Sequence, residues 1–231
     1  MSLFNSKLTL RRLLIFLGAF PILFFNNVNI SYSQNKQDLA NIRAAFPGRR
    51  VGGGTRGECS ARPLVHLVPD SSTYSPAEFG FIALLQGPSN SPVPVDISIK
   101  PYSKSDMENK NYQHFNKQLP ASDLVIVLLK SPISNEPLIW ESSFKCNDDS
   151  TDFSSDPFGF IQESSPPAVS LILPTPNSID INFSNNLKWL SESCETKVTA
   201  NEVSKRFKVN DLITSEWPKD IPVVCHEEFK L

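Results

Sequence analysis

The feature that most constrains this chain is a change of period. From residue 62 onward apolar side chains recur at every second position between prolines and small polar residues, the pattern of short half-buried strands. Val93, Val95, Ile97 and Ile99 alternate with Pro94, Asp96, Ser98 and Lys100. Leu138, Trp140, Phe144 and Cys146 share one face of another strand, and Ile139, Glu141, Ser143 and Lys145 share the other. Residues 64–68, 79–85, 112–117, 124–129, 168–173, 179–183 and 221–225 read as further strands. The 124–129 run (LVIVLL) is apolar on both faces and therefore central, whereas Pro92 and Pro94 place the start of 93–99 at a sheet edge. Helical spacing is confined to two places. Leu39, Ile42 and Phe46 precede the stop signal Pro47-Gly48, and Val203 and Phe207 follow the capping-box sequence Thr199-Ala200-Asn201-Glu202, which predicts a helix over 200–213. The expected fold is mostly β: an antiparallel β-sandwich, Ig-like in architecture, with short N-terminal and C-terminal helices.

Composition removes several functions. A fifth of the 231 residues are charged and the net charge is −2, with no basic stripe or patch, so nucleic acid is not an expected partner. The 40% hydrophobic content is enough for a core. The first 33 residues differ from the rest. Lys7, Arg11 and Arg12 precede an uncharged run of 13 residues, Leu13–Phe25, and Ser31-Tyr32-Ser33 offers small residues for cleavage before Gln34. This reads as a signal peptide, since a spanning helix needs about 20 apolar residues and this run is interrupted by Pro21. Without these three basic residues the remaining 19 face 24 acidic ones, a net charge of −5. The expected product is soluble, in the periplasm or outside the cell. Its expected organisation is signal peptide 1–33, a helix and Gly/Arg-rich lead 34–58, a β-sandwich 59–173, and a C-terminal extension 174–231 that packs on or completes the domain.

All four cysteines, Cys59, Cys146, Cys194 and Cys225, follow the leader, and an even count in an exported chain points to disulfides. Zinc would want close pairs such as C-x-x-C, which are absent. Three pairings are possible. Trp140 and Cys146 share a face that should turn inward, where the thiol can meet the strand beginning near Cys59; this favours Cys59–Cys146, with Cys194–Cys225 as the other bridge. A Cys225-His226 nucleophile is disfavoured, because neighbours on a strand point to opposite faces.

The segments GRRVGGGTRGEC, PLVHLVP, EFGFIALL, LPASDLVIVLLKSP and PLIWESSFKC occur in that order. Together they resemble the cyanobacterial exported family known as domain of unknown function 928, over residues 47–172. Cys59, Trp140 and Cys146 fall on its motif positions. Its aromatic strand carries Trp near the position of Gly80 here, and the region after Leu173 departs from its pattern. The resemblance implies an exported β-rich domain of cyanobacterial origin and supplies no activity.

Other constellations were weighed for chemistry. Arg49, Arg50 and Arg56 flank Gly52, Gly53 and Gly54, a lead that could form an anion nest but lacks the G-K-[ST] ending of a nucleotide loop. Asp148, Asp149, Asp152 and Asp156 offer oxygen ligands without the EF-hand glycine and glutamate, so a solvated loop is expected and no metal. His66, His114 and His226 stand outside any hydrolase motif, although a triad can be assembled from distant positions. Asn182 heads a glycosylation sequon, silent in a bacterium. No cofactor and no catalytic residue is expected. The chain reads as a binding or envelope-interaction module whose partner is an envelope protein or a glycan. The alternatives are an envelope hydrolase with a non-local catalytic set and a structural subunit of an envelope assembly.

Overall fold

The structure, a computed structural model, describes residues 38–53, 62–76, 80–102, 115–145 and 165–226. The leader, Gly54, Arg56, Cys59, His114, Cys146 and the four aspartates of the 147–156 loop lie outside them. Contacts divide the chain into two units, 1–42 and 43–231. Of the first, residues 38–42 are described and are helical; the helix, α1, runs over 38–45.

The second unit contains eleven strands among the described residues: β1 (Val51–Gly52), β2 (Leu64–His66), β3 (Thr73–Tyr74), β4 (Phe81–Gln86), β5 (Val95–Pro101), β6 (Phe115–Leu119), β7 (Val125–Lys130), β8 (Leu138–Phe144), β9 (Ala168–Ile172), β10 (Lys197–Thr199) and β11 (Asp220–His226). Between β9 and β10 lies helix α2 (Ser178–Ser191), and between β10 and β11 lies α3 (Ala200–Phe207). The strands form a six-stranded sheet, β1-β2-β4-β7-β11-β10, and a five-stranded sheet, β3-β9-β8-β5-β6. The result is the expected β-sandwich with short helices. Most pairings are antiparallel; β11 with β7 and β3 with β9 are parallel.

Burial differs between the sheets. β5 and β8 alternate strictly between buried and half-exposed residues, as strands with one face on a core do. β4 and β7 each bury five of six residues. Both faces of β4 and β7 are therefore covered, with α2 packed on β4. This double cover explains the continuous apolar runs FIALLQ and VIVLLK. β7 is central, between β4 and β11. β5 is also internal, flanked by β6 and β8, so the edge placement suggested by Pro92 and Pro94 does not hold: pairing begins at Val95, after both prolines.

The second departure is α2. Residues 179–183 alternate as a strand would, yet they are helical. The Asn177 side chain accepts from the Asp180 N–H and the Asp180 carboxylate accepts from the Asn177 N–H, closing a capping box. Asp180 is fully buried and paired with Arg43 at 2.7 Å, which anchors this turn. The buried set Asp180, Ser184, Leu187 and Leu190 has helical spacing, while Ile179 and Ile181, 59% and 54% exposed, carried the misleading alternation. The C-terminal helix ends at Phe207, short of residue 213, because Lys208 takes a left-handed conformation as its cap. Its Thr199 N-cap accepts from the Glu202 N–H as the sequence implies.

Cys194, just after α2, is bonded to Cys225 in β11 with Cα atoms 5.5 Å apart. The described residues 174–226 thus contribute both the helical cover and two strands, β10 and β11, of the six-stranded sheet. The segment 49–53 joins the sheets: Val51 and Gly52 pair with β2, while Arg49 exchanges two hydrogen bonds with Val169 of β9 and the Gly53 N–H donates to the Pro166 carbonyl. A Cβ on Gly52 would collide with the backbone of Ala168 and Pro167, and Gly53 has φ +92° against the Arg62 carbonyl.

Gly52→Ala should therefore cost at or beyond the top of the ~1–3 kcal/mol range for overpacking. Gly80→Ala, at φ +55° in open space, should cost only the ~1–2 kcal/mol of a left-handed residue. Paired urea titrations will rank the two. Reduction of Cys194–Cys225, which closes 31 residues, should lower stability by about 3–4 kcal/mol in the chain-entropy model, read as a drop in the urea midpoint.

Candidate functional site

The described members of the sequence-derived constellations, Arg49, Arg50, Gly52, Gly53, His66 and His226, do not form one site. Arg50 does not face an anion nest. Its guanidinium donates to the carbonyls of Val68, Phe207 and Lys208 and pairs with Asp70 at 2.6 Å. It caps the C-terminal end of α3, where orphan carbonyls and the negative end of the helix dipole favour a cation. Gly52 and Gly53 are turned to backbone contacts with β9 and β2, and Arg49 is exposed beside them. The described part of the glycine lead is a joint between sheets.

His66 is fully buried at the interface of the two sheets. Its ring lies 3.5 Å from that of Trp140, inclined by 9°, so the rings stack. Nδ1 is hydrogen-bonded to Ser170 Oγ at 2.8 Å and Nε2 to Ser142 Oγ at 2.9 Å. One residue of β2 thereby binds β8 and β9 of the opposite sheet. Burial holds the imidazole pKa well below its ordinary 6.5, so the ring is neutral. Both nitrogens are satisfied, no carboxylate orients the ring, and no solvent reaches it: this His–Ser pair is a core clamp, not a nucleophile and its base. His226 is half-buried and its pKa is lowered by burial and by the charge of Lys117, with Glu195 opposing. Its neighbour Cys225 is committed to the disulfide, so the Cys225-His226 pair has no free thiol.

Buried charge recurs at Arg62, fully enclosed before β2. Its Nε donates to the Gly87 carbonyl and Nη2 to that of Asp123 at 2.7 Å. Burial lowers the guanidinium pKa to about 10, against the charge of Asp123, which leaves it protonated at neutral pH. Nη1 and both polar atoms of buried Gln86 have no partner.

The open chemistry lies on the outer face of the five-stranded sheet. The β5 register sets Asp96 between Gln118 of β6 and Ser143 of β8, and Ser98 between Asn116 and Glu141. Six polar side chains thus form two parallel rows across three strands. Lys100 stands two residues beyond Ser98, its ammonium 2.8 Å from Glu141 Oε2, and the Gln118 amide donates to Asp96 Oδ1 at 2.8 Å. The six row residues, with Ile97, Lys117, Ser165 and Pro167, line a groove of about 430 Å³. The second oxygens of Asp96 and Glu141 remain as acceptors, flanked by the Ser98 and Ser143 hydroxyls. A sequence reading by alternation does place Asp96, Ser98, Glu141 and Ser143 on solvent faces. It lacks the register that aligns the two strands.

No group of three or more His, Cys, Asp or Glu suited to a metal occurs among the described residues. No helix among them is long and apolar enough to cross a membrane. No family model, curated protein or solved structure matches the chain.

His66 fixes a pH dependence. Unfolded, the ring has the ordinary pKa near 6.5; folded, it titrates far lower. Stability is therefore complete above about pH 6.5 and falls below it, by up to ~1.4 kcal/mol per pH unit for this one group. His226, shifted the same way, adds to the slope. Urea midpoints between pH 7.5 and 5 should fall in the native protein. His66→Gln, whose amide can still bond both serines, should flatten most of that slope.

Proposed function

We propose that the chain is an exported, non-catalytic binding module that holds a glycan of the cell envelope on the outer face of its five-stranded sheet. The carrying observation is the double row Gln118–Asp96–Ser143 and Asn116–Ser98–Glu141 over an open groove. A protein interface core is depleted of charge and rich in aromatic and aliphatic anchors. The groove has the opposite composition: carboxylates, hydroxyls, amides and a lysine, with Ile97 and Pro167 as its apolar members. Such a surface suits a ligand made of hydroxyl groups, each matched by a side-chain acceptor or donor.

Export is supported by the leader sequence 1–33, by a disulfide that fits an oxidising compartment, and by the resemblance of residues 47–172 to an exported family. A binding role, as opposed to turnover, is supported by the engagement of His66 and Cys225 in the core and the disulfide.

The test is co-sedimentation of the purified protein with insoluble envelope polysaccharide and with peptidoglycan, scoring released reducing sugar in the same tubes. Retention on one polymer, lost in the double variant Asp96→Ala with Glu141→Ala at unchanged melting temperature, is the expected result. No retention would remove the binding reading. Sugar release abolished by Asp96→Asn or Glu141→Gln would replace it with glycoside hydrolysis, which uses two carboxylates flanking the scissile bond.

A further inference from the structure

The groups lining the groove restrict which glycan it can take. Resting on the glycan reading above, we infer that the ligand is an uncharged polysaccharide segment lying across the strands, and that acidic glycans are rejected.

The two rows are acceptor-rich. Asp96 keeps one carboxylate oxygen beyond the one bound to Gln118, and Glu141 keeps one beyond the one bound to Lys100. Ser143 stands directly across from Asp96 and Ser98 directly across from Glu141, and both hydroxyls can accept or donate. A sugar hydroxyl donating to an ionised carboxylate makes the stronger, charge-assisted kind of hydrogen bond. The carboxylate, sulfate or phosphate of an acidic glycan offers only acceptors and would face Asp96 and Glu141 with like charge. The lysines do not reverse this. Lys100 is held by Glu141 at 2.8 Å, and Lys117, although it borders the groove, pairs in register with Ile97 and so alternates with Asn116 and Gln118 of the two rows. Rejection of acidic polymers thus follows from unpaired acceptors and repulsion, the two usual sources of discrimination.

The layout also gives direction. Neighbouring strands are about 4.8 Å apart and same-face residues along a strand about 6.8 Å, so each row spans on the order of 10 Å and the two rows lie ~7 Å apart. A chain crossing the strands meets amide, hydroxyl or carboxylate in turn along one row while the second row reaches its other edge. That span suits a short run of rings over a single monosaccharide.

The test is calorimetric titration of the purified protein with three soluble probes of equal length: a neutral β-glucan hexasaccharide, an oligogalacturonate and a fully deacetylated chitosan hexamer. The neutral probe should bind with little change between 50 and 300 mM salt, and better than the neutral disaccharide. Glu141→Gln should weaken it about ten-fold or more, and Ser98→Ala, which leaves the Lys100–Glu141 pair intact, about three-fold, with melting temperatures held near native. The galacturonate should not bind. Tighter binding of the galacturonate or the chitosan, or affinity falling steeply with salt, would overturn the uncharged-ligand inference while leaving the groove as a glycan site. Failure of all three probes, or binding indifferent to both substitutions, would overturn the glycan reading itself.

Discussion

The fold turns on one residue that belongs to both sheets. His66 sits on β2, yet its ring is stacked on Trp140 and hydrogen-bonded to Ser142 and Ser170 in β8 and β9. Away from this ring and from the backbone joint at residues 49–53, the six- and five-stranded sheets meet through non-directional apolar contact, which tolerates sliding. Two hydrogen bonds of 2.8 and 2.9 Å at opposite ends of one ring do not. Because side chains alternate along a strand, fixing Trp140 and Ser142 inward fixes Glu141 and Ser143 outward. A slip of one residue in β8 would bury Glu141 and expose Trp140 together. The polar groove is thus the reverse side of the histidine clamp, and the core interaction sets the identity of the surface.

A second joint closes the sandwich next to this ring, the His66 N–H donating to the Arg50 carbonyl. Residues 49–53 pair with β2 in one sheet and with β9 in the other, close enough that Gly52 has no room for a side chain. From this joint Arg50 reaches the last carbonyls of α3, so the helical cover is tied to the corner where the sheets meet. The Arg/Gly composition that resembles an anion loop follows here from geometry: glycine where two backbones touch, and arginine where one planar cation can satisfy three carbonyls.

β5 and β8 are readable to within a few residues, with Trp140 inward, because single-faced burial leaves a period of two in sequence, and β4 and β7 because burial on both faces leaves a continuous apolar run. The capping box at Thr199 was equally legible. What escaped were β1, β3 and β10, each two or three residues long and held by long-range pairing, with too few residues to show any period. The helix α2 escaped for the opposite reason. Its exposed Ile179 and Ile181 imitate a strand, while its true signal, Asn177 with Asp180, depends on a buried salt bridge to Arg43 137 positions away. Parallel pairing of β11 beside β7 was invisible too, since it records chain return through 90 residues rather than any local preference. The site shares this limit. Asp96 and Glu141 can each be assigned to a solvent face, but their adjacency is a property of register.

The distribution of cover narrows where a ligand can sit. α2 packs on β4, and the apolar runs of β4 and β7 require cover on both faces. The five-stranded sheet has no helix on its outer side among the described residues that pack on it, and its sequence is correspondingly polar there. A protein that needed only a stable sandwich could line this face with scattered lysines and glutamates. Two diagonal carboxylates, each bound through one oxygen among the described residues and each facing a hydroxyl across the strands, form a more specific arrangement. Holding those carboxylates in place by Lys100 and Gln118 reduces the side-chain freedom they would lose on binding. The same pairing limits their attraction for cations, which leaves hydroxyl donors as the groups the face can recognise.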